Sequence, residues 1–168
     1  MRKILLLVIL AGASLQSAVS QGSPTPIQTT TRLVAIFADL NYELFQSIQK
    51  HDAATFDRLV GQDFELRTPS EPDNPKSRED WQQLEFGRPL QSFGISQMAV
   101  RGLRDDVASV SFVLEEKRGT AIGSQKSFVV QAWTREGESW TCQEAYVSPI
   151  APSAKPGPMR DRRSSGKD

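Results

Sequence analysis

The chain has 168 residues, with twenty Lys and Arg against twenty Asp and Glu, one histidine and one cysteine, Cys142. A single thiol excludes an internal disulfide, and one histidine with one cysteine excludes a zinc constellation that needs several such ligands. Setting aside Arg2 and Lys3 at the start, and Lys155, Arg160, Arg162, Arg163 and Lys167 against Asp161 and Asp168 at the end, leaves 13 basic and 18 acidic residues; this net of −5 repels phosphate backbones and argues against nucleic acid as a partner.

Met1-Arg2-Lys3, the apolar run Ile4 to Leu10 and a small-residue exit describe a secretory signal peptide. Ala18-Val19-Ser20 sets small side chains where a signal peptidase reads. Residues 1–20 are therefore read as a leader cleaved near Ser20-Gln21, and the protein as exported, periplasmic or secreted. The apolar run is about half the roughly 20 residues that hydrocarbon demands, and no later stretch approaches that length. No membrane span is expected. Residues 21–29 read as a flexible lead-in. Residues 150–168 are rich in Pro, Ser, Gly and Arg, cannot offset their ordering entropy, and read as a disordered basic tail. Between them, 30–149 is long enough for one core and too short for two.

Within that domain the apolar residues Leu33, Ile36, Phe37, Leu40, Leu44, Phe45 and Ile48 fall three and four apart, which predicts one helix from Thr30 to Lys50. Asp52 caps a second, short helix carrying Phe56, Leu59 and Val60, with Gly61 as its stop. Phe64 to Thr68 alternates as a short strand. Pro69 to Pro75, with three prolines, reads as a loop. Ser77 starts a third helix, with Glu79, Asp80 and Trp81 in its first turn, ending at Gly87 or Pro89. From Ile95 the period changes to two. Runs Ile95–Leu103, Val107–Lys117, Lys126–Thr134 and Ser139–Val147 predict four strands of an antiparallel meander, joined by Asp105-Asp106, Gly119 to Gly123 and Glu136-Gly137. Helices before a meander make an α+β plan.

The ordered set of segments resembles a known family. A long first helix followed by Lys50-His51-Asp52-Ala53-Ala54-Thr55-Phe56-Asp57-Arg58-Leu59, then Asp63-Phe64-Glu65-Leu66, is similar to the opening of nuclear transport factor 2-like domains, the ketosteroid-isomerase-like superfamily. Ser77-Arg78-Glu79-Asp80-Trp81 resembles the helix after their first strand. Ala132 to Trp140, ending Tyr146-Val147-Ser148-Pro149, looks like their last hairpin. The resemblance spans Thr30 to Pro149. It implies a cone-shaped domain of three helices packed on a strongly curved, mainly antiparallel sheet, with a pocket inside. The family holds isomerases, cyclases, hydrolases and noncatalytic binding or association modules, so fold does not select a function.

Ketosteroid isomerases use an aspartate base, a tyrosine on the first helix and a protonated aspartate in the sheet. By ungapped alignment those positions fall at Thr68, Leu44 and Val130 or its neighbour Val129. Threonine and valine exchange no proton at neutral pH, which argues against that chemistry. His51 reads as an exposed helix terminus favourable to the dipole, and Cys142, taken to share a strand face with Trp140 and Glu144, as a packed thiol. Asp105-Asp106 reads as a turn, and Glu115-Glu116 points to opposite strand faces. The resemblance places Tyr42, Phe45, Phe64, Trp81, Phe128 and Trp140 where side chains bound the cone. With Arg67, Thr68 and Glu144 they form the candidate ligand pocket, an apolar lining with a few orienting polar groups.

The reading is an exported, noncatalytic domain that binds a small apolar ligand, without cofactor or metal. The rival is an isomerase, cyclase or hydrolase using Tyr42, Arg67 and Glu144, and a third reading is a structural association module. Val129, Gln131 and Trp133 share one strand face, and Phe128, Val130 and Ala132 the other. Both faces are apolar and helices cover only one, so a homodimer through the sheet face, with a tryptophan on the exposed side, is expected.

Overall fold

The computed structural model describes residues 30–119 and 123–151. The leader, the lead-in and all but the first two residues of the tail lie outside them. Three helices, α1 (Thr30–Lys50), α2 (Ala53–Leu59) and α3 (Arg78–Phe86), accompany six strands: β1 (Val60–Thr68), β2 (Glu71–Ser77), β3 (Leu90–Arg104), β4 (Val107–Arg118), β5 (Gln125–Glu136) and β6 (Ser139–Pro149). One sheet holds all six in the order β2-β1-β6-β5-β4-β3. Only β1 and β6 run parallel; the other pairs are antiparallel. This is the α+β architecture expected, three helices on a curved, mainly antiparallel sheet.

Local chemistry sets the helix ends. Helix α1 closes with the Asp52 N–H donating to Ser47 O (2.8 Å) and the His51 N–H to Ile48 O (3.2 Å). His51 takes a left-handed φ of 56° there, in the cap position usually given to glycine. Asp52 then caps α2, accepting from the Thr55 N–H at 3.1 Å, and Ser77 caps α3, accepting from the Asp80 N–H at 3.2 Å.

The inner sheet face and the helices share one core. Along α1, Phe37, Leu44, Phe45 and Ile48 are buried; from the sheet come Val110 and Phe112 of β4, Val129 and Trp133 of β5, and Trp140 and Cys142 of β6. Phe37 meets Trp133 and Trp140 edge-on, at 5.7 and 5.0 Å between ring centres. Phe64 of β1 stacks on Trp81 of α3 at 4.7 Å, and Phe56 of α2 packs beside Trp81. Each such side chain contributes about 1.5–3 kcal/mol by burial.

Four sequence expectations are corrected. Gly61 does not stop α2: the helix ends at Leu59, Val60 turns extended, and β1 begins there. Gly61 instead makes room for a neighbour, since a Cβ on it would lie 2.2 Å from Gln143 Oε1. The triple-proline segment is not all loop, for Glu71–Ser77 forms β2 at the sheet edge, where missing N–H donors are tolerated. Glu71 pairs with Thr68 and Lys76 with Leu66, so three surplus residues of the Pro72–Pro75 stretch bulge out between them.

The other two corrections concern sheet faces. Glu144 does not share a face with Trp140 and Cys142. Trp133 pairs with Cys142 and Ala132 with Glu144, so β6 holds one extra residue at this point. That bulge reverses the alternation: Trp140, Cys142 and Ala145 are buried while Glu144 and Tyr146 turn out. Trp133 is likewise absent from the exposed face; it is fully buried beneath α1.

Candidate functional site

Two rows of side chains run along α1. One faces the sheet and fills the core. The second, Val34, Ala38 and Tyr42 at i, i+4 and i+8, runs along the flank beside β3. Among the described residues β3 is an edge strand, hydrogen-bonded to β4 alone. Between this row and the segment Phe93 to Met98 lies an open cleft of about 550 Å³. The Tyr42 and Phe93 rings close one end at 5.4 Å, and Phe93 continues inward to Phe45 at 5.8 Å. The lining is apolar on both sides, with Ser96, Gln97 and the Tyr42 hydroxyl as its polar groups.

A defect in β3 shapes this cleft. Ser96 pairs with Val113 and Ala99 with Ser111, three steps against two, so one residue is surplus. Gln97 lies in that bulge with φ 54°, in the left-handed region. Before it Phe93 and Ile95 are half-buried; after it Met98 and Val100 are. The bulge keeps apolar groups inward on both sides of the slip and leaves Ser96 and Gln97 exposed at the cleft.

The nine residues predicted for a pocket are dispersed by the fold. Tyr42 lines the α1–β3 cleft and is 56% exposed. Phe45, Phe64, Trp81 and Trp140 are buried core. Arg67, Glu144 and Phe128 lie on the outer sheet face, away from the helices. Arg67 Nε sits 3.4 Å from Glu144 Oε1, and the same guanidinium bonds Glu65 and, at 3.0 Å, Pro72 O. The Thr68 hydroxyl pairs with that of Ser70 at 3.1 Å. The rival catalytic set therefore splits: Arg67 and Glu144 meet, while Tyr42 stands at the opposite end of the sheet.

The alignment's other positions are structural too. Leu44 and Val129 are buried, and Val130 is half-buried on the outer face. Cys142 is fully buried, and that burial pushes its thiol far above the usual range, so it offers no thiolate. His51 rests beside Phe86, ring centres 5.4 Å apart. Among the described residues no three His, Cys, Asp or Glu side chains converge as a metal site. No helix among them is long and apolar enough to cross a membrane.

An NTF2-like protein from Cytophaga hutchinsonii superposes with a TM-score of 0.61 at 18% identity, covering 69% of this chain and 97% of that one. The fold is nuclear transport factor 2-like. An NTF2-like protein of unknown function in nutrient uptake from Rhodospirillum rubrum gives 0.60 at 16% identity, covering 68% and 98%. The association domain of C. elegans CaMKII gives 0.58 at 14% identity, covering 71% and 97%. No family model matches the chain, and no curated protein does. At these identities the nuclear transport factor 2-like fold is what is shared. The sequence signal for the cleft, missed by reading β3 as one uninterrupted alternation, is the slip from Phe93 and Ile95 to Met98 and Val100.

Proposed function

We propose that the chain is an exported, noncatalytic domain that holds a small apolar or amphipathic molecule in the α1–β3 cleft. The observation that carries this reading is the lining itself: two apolar rows from different elements, with Tyr42 the only ionisable side chain among them. Such a site offers burial and a few hydrogen bonds, and no acid–base pair. The test uses mature protein recovered after export, whose mass should begin at Gln21; a mass retaining Met1 sinks the exported part. Nile red should then bind saturably, and Ala38→Trp, which fills the cleft from α1, should weaken it by about tenfold or more. Unchanged binding in a folded Ala38→Trp protein defeats the reading.

A second reading, self-association, is favoured by the outer sheet face. Phe128 and Tyr146 are 42% and 39% exposed there, beside Val113 and Val130, on a surface that no helix among the described residues covers. Two-fold pairing is the common way to hide such a patch. Light scattering at micromolar concentration should give a dimer mass, and Phe128→Glu a monomer of unchanged circular dichroism. A monomeric wild-type protein defeats this reading and leaves the ligand reading untouched.

A further inference from the structure

We propose that Gln97 is the specificity residue of the α1–β3 cleft, offering its carboxamide to the polar end of the bound molecule. The ligand class that follows is an uncharged apolar body ending in an amide, carbonyl or hydroxyl group. The inference rests on the ligand reading above and adds to it the residue that selects.

Two non-glycine residues among those described have left-handed φ, His51 and Gln97. His51 has a plain local reason, since it closes α1 through the capping hydrogen bonds. At Gln97 the left-handed φ belongs to the bulge, which gives no reason for a side chain there. Gln97 lies in the middle of a fifteen-residue strand, where a glycine would hold the same bulge without the Cβ penalty. Backbone held in a sparsely populated region is a pointer to function when the site is independently recognisable. Here it is: the strained residue lines the cleft, not a remote stretch of β3.

The bulge also decides what the side chain can do. Without the surplus residue, the β3 alternation would bury one of the two half-buried pairs, Phe93 with Ile95 or Met98 with Val100, and turn the other to solvent. With it, both pairs stay inward, and Ser96 and Gln97 emerge consecutively at the mouth. A carboxamide both donates and accepts, so it satisfies either a carbonyl or a hydroxyl on the ligand. Among the described residues the outer edge of β3 pairs with no strand, which leaves backbone donors and acceptors beside it. No carboxylate, ammonium or guanidinium is among the lining residues, so an ionic ligand group would meet no countercharge there. That is why the class is uncharged.

The test compares two probes of one shape, 2-naphthamide and 2-methylnaphthalene, by fluorescence titration against wild type and Gln97→Gly. Wild type should prefer 2-naphthamide by about tenfold. Gln97→Gly should raise Tm, because strain is relieved, keep its affinity for 2-methylnaphthalene within about twofold, and lose the preference. A preference surviving in Gln97→Gly, or a lowered Tm, overturns the proposal: the first makes the bulge purely structural and the second makes the side chain part of the packing. Saturable binding of both probes with no wild-type preference overturns this proposal alone. If neither probe binds wild type, the ligand reading falls with it.

Discussion

Trp133→Ala should destabilise the domain by about 3–5 kcal/mol, the usual cost of deleting a large buried aromatic. Trp133 is fully buried on β5, edge-on to Phe37 of α1, so its loss opens a void where helix and sheet meet. Its indole N–H also donates to Gln131 Oε1 at 2.8 Å, and Gln131 is itself buried. Truncation thus removes apolar contact and strands a buried acceptor together. Against a total stability of about 5–15 kcal/mol the change consumes a large share. Trp133→Phe separates the two parts: most of the ring stays, the donor goes, and about 1–3 kcal/mol is expected for the unpaired carbonyl. Urea denaturation followed by circular dichroism gives both numbers. A loss below about 1 kcal/mol for the alanine variant would mean that this face is not the core.

The second large effect lies at the opposite end of β4. Arg118 bonds both Glu85 of α3 and Glu116 of its own strand, and donates to Arg88 O at 3.1 Å. The three side chains are only 12–16% exposed. Beside them the Gly119 N–H donates to Pro89 O at 3.1 Å, so the group fastens the α3–β3 connection to the end of β4. Arg118→Met should cost about 3–5 kcal/mol at neutral pH, because it leaves two sheltered carboxylates without their cation.

The pH dependence of this loss is a stronger check than its size. Burial pushes the Glu85 carboxyl above its ordinary value, and the neighbouring Arg118 charge only partly offsets that. Burial by itself lowers Arg118, but the charges of Glu85 and Glu116 outweigh it, and the guanidinium is raised. A carboxyl raised in the folded state binds more protons there than in the unfolded chain. Stability then falls as pH rises from the ordinary value, 4.5, through the raised one, and returns as pH falls back. Removing Arg118 raises Glu85 further and widens that window. The deficit of Arg118→Met should therefore shrink steadily between pH 7 and pH 4.5, and a deficit independent of pH would sink the account.

The helices and five of the strands were legible because their signals are local. Leu33 to Ile48 carries the helical period, Asp52 and Ser77 carry caps, and Val107 to Leu114 alternates without a break. What escaped were single-residue slips at Gln97 and Gln143, each of which exchanges the two faces of a strand beyond it. Glu144 was assigned to the inner face for that reason. Strand β2 escaped because prolines argue against a strand interior and say nothing of an edge. The cleft was legible only at Tyr42, since it joins a helix flank to a strand some fifty residues later, and no local pattern encodes that meeting.

The place of β6 has a consequence for how the chain matures. It is the last of the six described strands to be synthesised, yet it lies between β1 and β5, pairing Leu66 with Ala145 on one side and Val130 with Tyr146 on the other. Until it arrives, the β1–β2 ribbon and the β3–β4–β5 ribbon share no hydrogen-bonded border. A chain released N-terminus first must hold both halves unclosed until Ser139–Pro149 has emerged. Such non-local closure is slow. It gives the nascent chain a long interval in which it remains threadable, and it makes the last ten residues of the domain the step that commits all the rest.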